Sequence, residues 1–401
     1  MKRVLLLTTI GVLFCVAFSA AQNVFDPADP IVRYSSGAAL GTPQHPDPNV
    51  PGLQKWVSVA SSGVSTGSNS FDASSYKAYF INRNGGQTPF RLKFPKSYTN
   101  PDSAGKIYPI MIFFHGAGEP GCPSNGGIYN NERQLLHGGK LFRDRVDNNE
   151  FDGFLLYPQN LAGSNCWGTW GGAPFTHYYD DIIAMIDSMA KYARADVNRV
   201  LTTGLSDGGA AAWGMMTAFP QRVAKAAPSS AATGATNFAD FVHIPIWFAS
   251  GGKDSNPTPG FAGATYNNIK AAGADIIYTL FPDLGHSVWY DHWQLPGFVA
   301  WMNDMNKANP LVYFQRYDFC PDSTINTKIG ITRGFAEYEW RKDGVLIATA
   351  TRTGSNYPYT YSTNIIQPAS IISFTANDIT VRSFGTYSVR FRRNPGGPWS
   401  V

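Results

Sequence analysis

The sequence predicts an α/β fold built on a doubly wound, mostly parallel sheet, followed by a small all-β domain. Between residues 76 and 308, short apolar runs alternate with segments in which apolar residues recur at helical spacing. This alternation is typical of parallel sheets covered by helices. From residue 310 to residue 401 the pattern changes to short strands of alternating polar and apolar residues, which indicates a half-buried β domain. A chain of 401 residues is long enough for both domains.

The first 21 residues have the pattern of a secretory signal peptide. A basic start, Met1-Lys2-Arg3, is followed by an apolar run over residues 4–18 and by small residues at 19–21. This run is shorter than the roughly 20 apolar residues that a transmembrane helix needs. We therefore expect cleavage before Gln22, a secreted or periplasmic location, and a mature chain with no membrane partner. The alternative is a lipoprotein modified at Cys15.

The charge balance excludes a typical nucleic-acid-binding protein. The formal net charge is +4, and the 32 Lys and Arg residues are spread along the chain rather than clustered. Proteins that bind nucleic acid usually carry a concentrated basic patch. Aromatic residues make up 14% of the chain and charged residues 15%, a balance that suits an extracellular protein with polar, aromatic-rich loops. The oligomeric state stays open.

The elements of the first domain follow in order along the chain. Residues 22–75 are rich in Pro, Ser, Gly and Asn and predict an irregular N-terminal arm. The continuous apolar run at 108–114 predicts a strand buried on both faces of a parallel sheet. Further strands are predicted at 79–81, 90–94, 153–157, 199–203, 245–249 and 276–281. Helical spacing predicts helices at 178–193, 208–217, 261–271 and 295–306.

The second domain, residues 310–401, is predicted to consist of antiparallel strands. Residues 338–347 predict a hairpin around an Asp343-Gly344 turn, and residues 385–391 predict a later strand. A tryptophan early in the domain and a Gly-x-Tyr sequence late in it resemble an immunoglobulin-like sandwich. Val389 stands where the late disulfide cysteine of that fold would be.

The strongest functional motif is Gly204-Leu-Ser-Asp-Gly-Gly209. It lies between a predicted strand and a predicted helix, the context in which a G-x-S-x-G sequence forms a nucleophile elbow. A sharp strand-to-helix turn needs small residues, and it raises the hydroxyl of Ser206 above the sheet. The start of the helix supplies N–H groups and a dipole that stabilise an oxyanion. We therefore predict that Ser206 is a catalytic nucleophile.

Asp254 and His286 are the predicted acid and base of a catalytic triad. A serine hydroxyl is a weak nucleophile until a histidine takes its proton, and an acid must hold that histidine. In α/β-hydrolases the chain order is Ser, then Asp or Glu, then His. Asp254 and His286 each follow a predicted strand, so their loops are expected to converge on Ser206. Asp283 is the main rival acid, and the other acids and histidines nearby are Asp240, Asp275, Asp291, His243 and His292.

Two backbone N–H groups are expected to form an oxyanion hole. One belongs to Asp207, directly after the nucleophile, and the other to Ala117 in the loop His115-Gly-Ala-Gly-Glu119. A His-Gly-x-Gly sequence after a strand at this place matches a known type of oxyanion loop. His115 itself is expected to brace this loop. No cluster of His, Cys or Asp residues shows the spacing of metal ligands, so no metal site is predicted.

These motifs resemble those of secreted bacterial esterases. The nearest groups are polyhydroxybutyrate-depolymerase-like proteins and feruloyl or acetyl-xylan esterases, together with predicted peptidases. The resemblance rests on residues 113–119, on residues 196–200 leading into the Ser206 motif, on Gly285-His286 and on the loop 157–167. It implies an α/β-hydrolase fold and hydrolysis through an acyl-enzyme on Ser206, with no metal or organic cofactor. Asp207 departs from the pattern, since many such esterases carry alanine after the nucleophile.

Aromatic residues in the loops are candidates for contacts with substrate. Trp167, Trp170, Trp289 and Tyr290 lie in loops predicted to border the site, where they would stack on a sugar or a feruloyl ring. The alternative is that these side chains pack beneath long loops.

The cysteines of the mature chain predict one disulfide. Cleavage of the signal segment would leave Cys122, Cys166 and Cys320. An oxidising compartment favours disulfides, and Cys122 and Cys166 both lie in loops of the first domain. We predict that these two pair and that Cys320 stays free, although an odd number of cysteines leaves other pairings open.

Three kinds of function remain open at this stage. The first is hydrolysis of carboxylic esters, with plant polysaccharides as the expected carriers of the ester. The same triad would also serve a polyester depolymerase or a serine peptidase, because the fold does not determine the substrate. The third kind of function is polymer binding. In that case the β domain would bind the polymer, and the hydrolase domain would be an inactive scaffold. A complete Ser, Asp and His set with its oxyanion loop favours an enzyme.

Overall fold

The computed structural model describes most of the predicted first domain and of the predicted β domain. The described residues are 24–29, 31, 53–55, 75–83, 86–119, 132–161, 167, 176–236, 238–305, 307, 312–316, 318–320, 323–331, 335–353, 360–392, 395–397 and 399–400. The predicted signal segment and the predicted Cys122–Cys166 pair lie outside them. Cys320 is an exposed free cysteine. Within these ranges, no helix has the length and apolar character to cross a bilayer.

A nine-stranded sheet forms the centre of the described part of the first domain. In spatial order the strands are β1 (Leu53–Lys55), β2 (Lys77–Arg83), β3 (Gly86–Lys93), β5 (Phe154–Pro158), β4 (Tyr108–Phe114), β6 (Ala195–Leu205), β7 (Lys225–Ser229), β8 (Ile246–Gly251) and β9 (Ile276–Phe281). In this order, neighbouring strands from β1 to β5 pair antiparallel, and neighbouring strands from β5 through β4 to β9 are parallel. The predicted doubly wound, mostly parallel sheet is thereby confirmed.

The middle strands are apolar along their whole length because both faces of the sheet are covered. All residues of β4 are buried. Alternate side chains of a strand point to opposite faces, and Ile110 and Ile112 accordingly belong to one hydrophobic core while Met111 and Phe113 belong to another. Continuous apolar strands of this kind are what a parallel sheet between two helical layers requires.

Helices pack on both faces of the sheet. The buried side chains of α2, α3 and α4 join the core of Ile110, and those of α1, α5 and α6 join the core of Phe113. Helix α3 is buried on nearly all sides, which explains its run of small and apolar residues. The described helices are α1 (Gly139–Asp147), α2 (Thr176–Tyr192), α3 (Asp207–Ala218), α4 (Pro259–Ala271), α5 (Trp289–Trp293) and α6 (Phe298–Asn303).

Two predictions for the first domain are wrong in detail. The arm predicted as irregular contains β1, which pairs with β2, and its residues Val24 and Phe25 are buried in the core of Ile110. The helix predicted over 295–306 is shorter in the structure, where only α6 lies in this span, and a separate short helix, α5, precedes it. Gly297, at the start of α6, has a φ of 84°, a left-handed conformation that interrupts a helix.

The described residues from 312 onward form two four-stranded antiparallel sheets around one core. The predicted hairpin is present, because β12 and β13 pair across a turn in which Asp343 and Gly344 both have positive φ. Trp340 is buried in this core. The all-β character is confirmed, and the immunoglobulin-like assignment stays a prediction. One sheet has the order β10 (Val312–Phe314), β11 (Thr327–Ile331), β16 (Asp378–Val381), β15 (Ile371–Phe374), and the other has the order β14 (Tyr361–Ile365), β13 (Val345–Arg352), β12 (Glu337–Lys342), β17 (Tyr387–Arg392).

Candidate active site

The register of the parallel strands brings the predicted site residues to one edge of the sheet. The last residue of β4 pairs with Gly204 of β6, and Leu205 of β6 pairs with the last residue of β7. The last residues of β8 and β9 pair with each other. The loops that follow these strands therefore begin side by side at the carboxyl edge, the place where open α/β sheets bind ligands.

Ser206 occupies the turn between β6 and α3. Its backbone angles are φ 53° and ψ −120°, a combination that residues other than glycine rarely adopt. The Ser206 N–H donates to the Ser229 carbonyl at 2.9 Å, and the Ser206 carbonyl accepts the Ala210 N–H at 2.9 Å. Bonds to the neighbouring strand and to the first turn of α3 thus hold the strained turn in place.

Glycines allow this turn to pack directly against the end of β4. A Cβ atom on Gly204 would overlap the carbonyl oxygens of Gly208 and Phe114. A Cβ atom on Gly208 would overlap the carbonyl oxygens of Phe114 and His115. The sequence between β6 and α3 needs glycine at both positions, because backbone from the loop after β4 occupies the space of a side chain.

His286 joins Ser206 to Asp254 through two hydrogen bonds. Its Nε2 lies 2.7 Å from the Ser206 Oγ, and its Nδ1 lies 2.8 Å from the Asp254 Oδ2. Because an ionised carboxylate only accepts hydrogen bonds, Nδ1 carries the hydrogen and Nε2 is the atom that can take the Ser206 proton. The second carboxylate oxygen, Oδ1, accepts the Asn256 N–H at 2.9 Å. The side chain of Asp254 is buried, while the imidazole is 39% exposed to the site.

The loops after β8 and β9 are tightly packed together, which fixes the acid relative to the base. A Cβ atom on Gly251 would overlap the Gly285 carbonyl oxygen. The Lys253 N–H donates to the Leu284 carbonyl at 2.9 Å. One loop therefore cannot shift without the other, and the distance between the carboxylate and the imidazole is set by backbone contacts.

Two serines at the end of β7 and a buried histidine support the site, and sequence reasoning missed their role. The Ser230 hydroxyl donates to the His286 carbonyl at 2.5 Å. The Ser229 hydroxyl and the His292 Nδ1 share a hydrogen bond of 2.7 Å, which ties β7 to α5. Burial lowers the pKa of His292 to about 3, so this imidazole is neutral near pH 7. β7 escapes prediction because its sequence, Lys-Ala-Ala-Pro-Ser, holds no large apolar residue.

The rival acid and base lie elsewhere. The Asp283 side chain is 89% exposed and pairs with Lys253 at 3.4 Å, so it faces solvent rather than the imidazole of His286. His243 forms a hydrogen bond of 2.7 Å with the Lys307 ammonium group. Burial, together with this ammonium group, lowers the pKa of His243 to about 3.

His115 braces the loop that carries Ala117. Its imidazole is buried, and its Nε2 accepts the Asn160 N–H at 3.1 Å. The proton is therefore on Nδ1, which donates to the Gly116 carbonyl at 2.7 Å. Burial lowers the pKa of His115 to about 4. A neutral imidazole with both nitrogens engaged holds the loop and is not placed to carry protons.

Ala117 and Asp207, the two predicted oxyanion donors, lie on adjacent segments. Ala117 is exposed at the tip of its loop, and Asp207 is the buried first residue of α3. In the described part of the chain, no backbone hydrogen bond uses the Ala117 N–H. An Arg133 guanidinium N–H donates to the Gly118 carbonyl at 2.8 Å and holds the loop from the side.

The prediction that Trp167 contacts substrate is wrong. Trp170, the second tryptophan of that prediction, lies outside the described residues. Trp167 is only 1% exposed. Its indole N–H donates to the His115 carbonyl at 3.0 Å, and its ring packs edge-on against Phe114. The alternative interpretation therefore holds for Trp167, which packs beneath the loop and stabilises it.

Trp289, predicted to bind substrate from a loop, instead begins α5 and is only 8% exposed, so it packs behind His286 and His137. The Trp289 ring packs edge-on against His286, with centroids 5.9 Å apart, and against His137, with centroids 5.4 Å apart. The His137 Nε2 lies 3.8 Å from a carboxylate oxygen of Glu119. Nothing in the sequence near His137 indicates this position, because its partners are remote in the chain.

The comparisons with known proteins bear on the fold. No protein-family model matches the sequence, and no curated protein matches it. A thermostable esterase of known structure matches 58% of this chain with a TM-score of 0.51 and 22% identity. This chain has the α/β-hydrolase fold. At this level of identity the likeness shows the fold alone, and the match covers 63% of that esterase.

Weaker matches include both esterases and peptidases of the α/β-hydrolase fold. A ferulic acid esterase matches 57% of this chain and 98% of its own, with 18% identity and a TM-score of 0.43. An acylaminoacyl peptidase from Pyrococcus horikoshii matches 53% of this chain and 38% of its own, with 12% identity and a TM-score of 0.39.

Proposed function

We propose that this chain is a serine hydrolase that cleaves carboxylic esters. The observation that carries the proposal is the pair of hydrogen bonds from His286, 2.7 Å to the Ser206 hydroxyl and 2.8 Å to the Asp254 carboxylate. A nucleophile, a base and an acid in this order have the geometry that activates a serine for acyl transfer. The strained backbone at Ser206 lowers the stability of the fold, and a serine with a purely structural role would not need such strain.

The reaction proceeds through an acyl-enzyme. His286 takes the proton of Ser206 as Oγ attacks the ester carbonyl, and Asp254 stabilises the imidazolium that forms. The amides of Ala117 and Asp207 donate to the oxyanion of the tetrahedral intermediate. His286 then gives its proton to the leaving alcohol. Water, activated by the same imidazole, releases the acid and restores Ser206.

We also propose that the protein is exported and that its esters are carried by plant polysaccharides. The support for export is the basic and apolar pattern of residues 1–21. Mass spectrometry of the protein recovered from the growth medium or periplasm should give Gln22 as the first residue. An intact Met1 would contradict export, and a lipid attached to Cys15 would contradict cleavage before Gln22.

The first test is hydrolysis by residues 22–401, compared with Ser206→Ala. The wild type should hydrolyse p-nitrophenyl acetate and methyl ferulate, and Ser206→Ala should lower kcat by about 10⁴-fold or more. Ser188→Ala is a matched control, because the Ser188 hydroxyl bonds to the Ala184 carbonyl within α2, away from the sheet edge. This control should leave kcat unchanged.

The outcomes separate the candidate activities. A rate retained in Ser206→Ala would place the nucleophile elsewhere. A wild type that fails on both esters but cleaves a peptide p-nitroanilide or polyhydroxybutyrate particles would replace the esterase proposal by a peptidase or a depolymerase. Failure on every substrate, with binding to a polymer, would favour the inactive scaffold.

A further inference from the structure

A pocket of about 450 Å³ is lined in part by Tyr290, four residues after His286 in the chain. Its other walls come from α1, from the residues just before and just after α1, and from Gln294. This volume is in the range of pockets that bind small ligands. The reaction proposed above needs Ser206, Asp254, His286 and the oxyanion amides, none of which line the pocket.

A row of ring side chains leads from the proposed base to this pocket. Trp289 packs against His286 and against His137. The Tyr290 hydroxyl, at the pocket, lies 3.4 Å from the His137 Nδ1. His137 is 26% exposed and Tyr290 is 38% exposed, so a bound molecule can reach both. Trp289 itself is only 8% exposed, so the surface along which a substrate can extend toward the pocket is formed by the accessible parts of His137 and Tyr290.

The charges in the pocket wall cancel in pairs. Lys140 forms an ion pair with Asp144, one turn apart on α1. Arg145 forms an ion pair with Glu150 at 2.7 Å. A charged ligand would have to break one of these ion pairs to form its own. The hydroxyl groups of an uncharged ligand can instead form hydrogen bonds with the charged side chains while the ion pairs stay intact.

The remaining lining combines hydrogen-bonding groups with apolar and aromatic surface. Tyr290 offers a ring face and a hydroxyl, Gln294 and Asn148 offer amides, and Leu136 and Leu141 are apolar. A sugar presents C–H faces and hydroxyl edges, so it matches an aromatic ring beside polar groups. An apolar polyester has no hydrogen-bond donors, so it would displace water from the amide oxygens of Gln294 and Asn148 without replacing its hydrogen bonds.

We propose that this pocket binds the saccharide that forms the alcohol side of the ester substrate. The inference rests on the proposed function, since His286 must protonate the leaving alcohol and the alcohol therefore lies beside His286. From there a sugar extends past His137, and the next sugar of the chain lies against Tyr290 in the pocket. The ligand class is a neutral oligosaccharide.

The experiment compares two acetyl esters that differ only in the alcohol, acetylated xylotriose and p-nitrophenyl acetate. Tyr290→Ala should lower kcat/KM about tenfold for acetylated xylotriose, and it should leave kcat/KM for p-nitrophenyl acetate unchanged. Tyr290→Phe, which keeps the ring, should retain part of the preference. Phe261→Ala is the matched control, because Phe261 is an exposed aromatic residue of α4, outside the pocket.

A binding measurement separates this inference from the proposed function. Free xylotriose is titrated into Ser206→Ala and into Ser206→Ala with Tyr290→Ala, and the second should bind about tenfold more weakly. Equal losses on both esters in Tyr290→Ala, or no loss on either, would overturn the inference. Binding through Tyr290 without any hydrolysis by the wild type would overturn the proposed function and leave the pocket assignment in place. Absence of both binding and hydrolysis would overturn both.

Discussion

Both oxygens of the Asp254 carboxylate are engaged, one by the imidazole of His286 and the other by the backbone N–H of Asn256. The backbone bond fixes the rotation of the carboxylate, so Oδ2 points at Nδ1 before any substrate arrives. Burial removes water that would compete for the same oxygen. The imidazole is thereby held in the tautomer that leaves Nε2 free to accept the Ser206 proton.

The acid can be tested at this scale by two matched substitutions. Asp254→Asn should lower kcat by roughly 10⁴-fold, because an amide no longer stabilises the imidazolium and can favour the wrong tautomer. Asp283→Asn should change kcat by no more than about twofold, since Asp283 makes only an exposed ion pair. The measurement is steady-state hydrolysis of p-nitrophenyl acetate, with circular dichroism to show that both variants fold. A larger loss in Asp283→Asn would contradict the assignment of the acid.

At the residue scale the sequence indicates the groups that chemistry requires and one supporting group, His115, but it does not indicate the supporting contacts between residues that are remote in the chain. Ser206 is recognisable from a local motif, and Asp254 and His286 from their places after successive strands. The hydrogen bond between Ser229 and His292, and the approach of Glu119 to His137, join residues far apart in the chain. No local pattern encodes such contacts, because they depend on how the loops pack.

At the scale of elements, the turn between β6 and α3 depends on the loop after β4. The space beside Gly208 is filled by the carbonyl oxygens of Phe114, at the end of β4, and of His115, at the start of that loop. The same contact that excludes a side chain from the elbow also aligns Ser206 with the loop of Ala117. Nucleophile and predicted oxyanion donor are therefore positioned by one packing interaction.

The substitution Gly208→Ala tests this contact. The added methyl group overlaps backbone atoms, so the turn must move, and we expect a loss of about 1–3 kcal/mol in the free energy of unfolding together with a large fall in kcat. Gly263→Ala is the control, because nothing lies within 4 Å of a Cβ atom at this position in α4. That control should be neutral or more stable by up to about 1 kcal/mol. Thermal unfolding and hydrolysis of p-nitrophenyl acetate measure both effects, and a fully active Gly208→Ala would contradict the role of the contact.

Elements with a strong periodic or apolar pattern could be predicted, and those with a weak one could not. The buried strand β4 and the edge strand β9 have the bounds expected from their apolar runs. β7 is missed because small residues and a proline fill its buried positions. The break between α5 and α6 arises from the left-handed Gly297, a backbone property that apolar spacing does not report.

At the scale of the whole molecule, the described residues form separate hydrophobic cores. Two cores lie on the two faces of the α/β-hydrolase sheet, and a third is made only of residues from Ile325 to Phe391. A unit that has its own core can fold by itself. The change in sequence pattern near residue 310 predicts this division, whereas it does not predict what the β domain does.

The fragment 310–401 should therefore fold in isolation. We expect a cooperative thermal transition and a β-type circular dichroism spectrum. Trp340→Ala should abolish or strongly weaken the transition, because its ring is buried in the core and its indole N–H donates to the Ala376 carbonyl at 2.8 Å. Arg316→Ala, at an exposed side chain, is the control. A fragment without a cooperative transition would contradict the independent domain.

The central claim is that Ser206 is a nucleophile activated by His286. The most direct measurement is covalent labelling with phenylmethanesulfonyl fluoride, followed by mass spectrometry of the peptides. We expect one sulfonyl group, attached to Ser206, in the wild type, and labelling that is slower by orders of magnitude in His286→Ala. A label on another serine, no label on Ser206, or equal labelling of the wild type and His286→Ala would contradict the account.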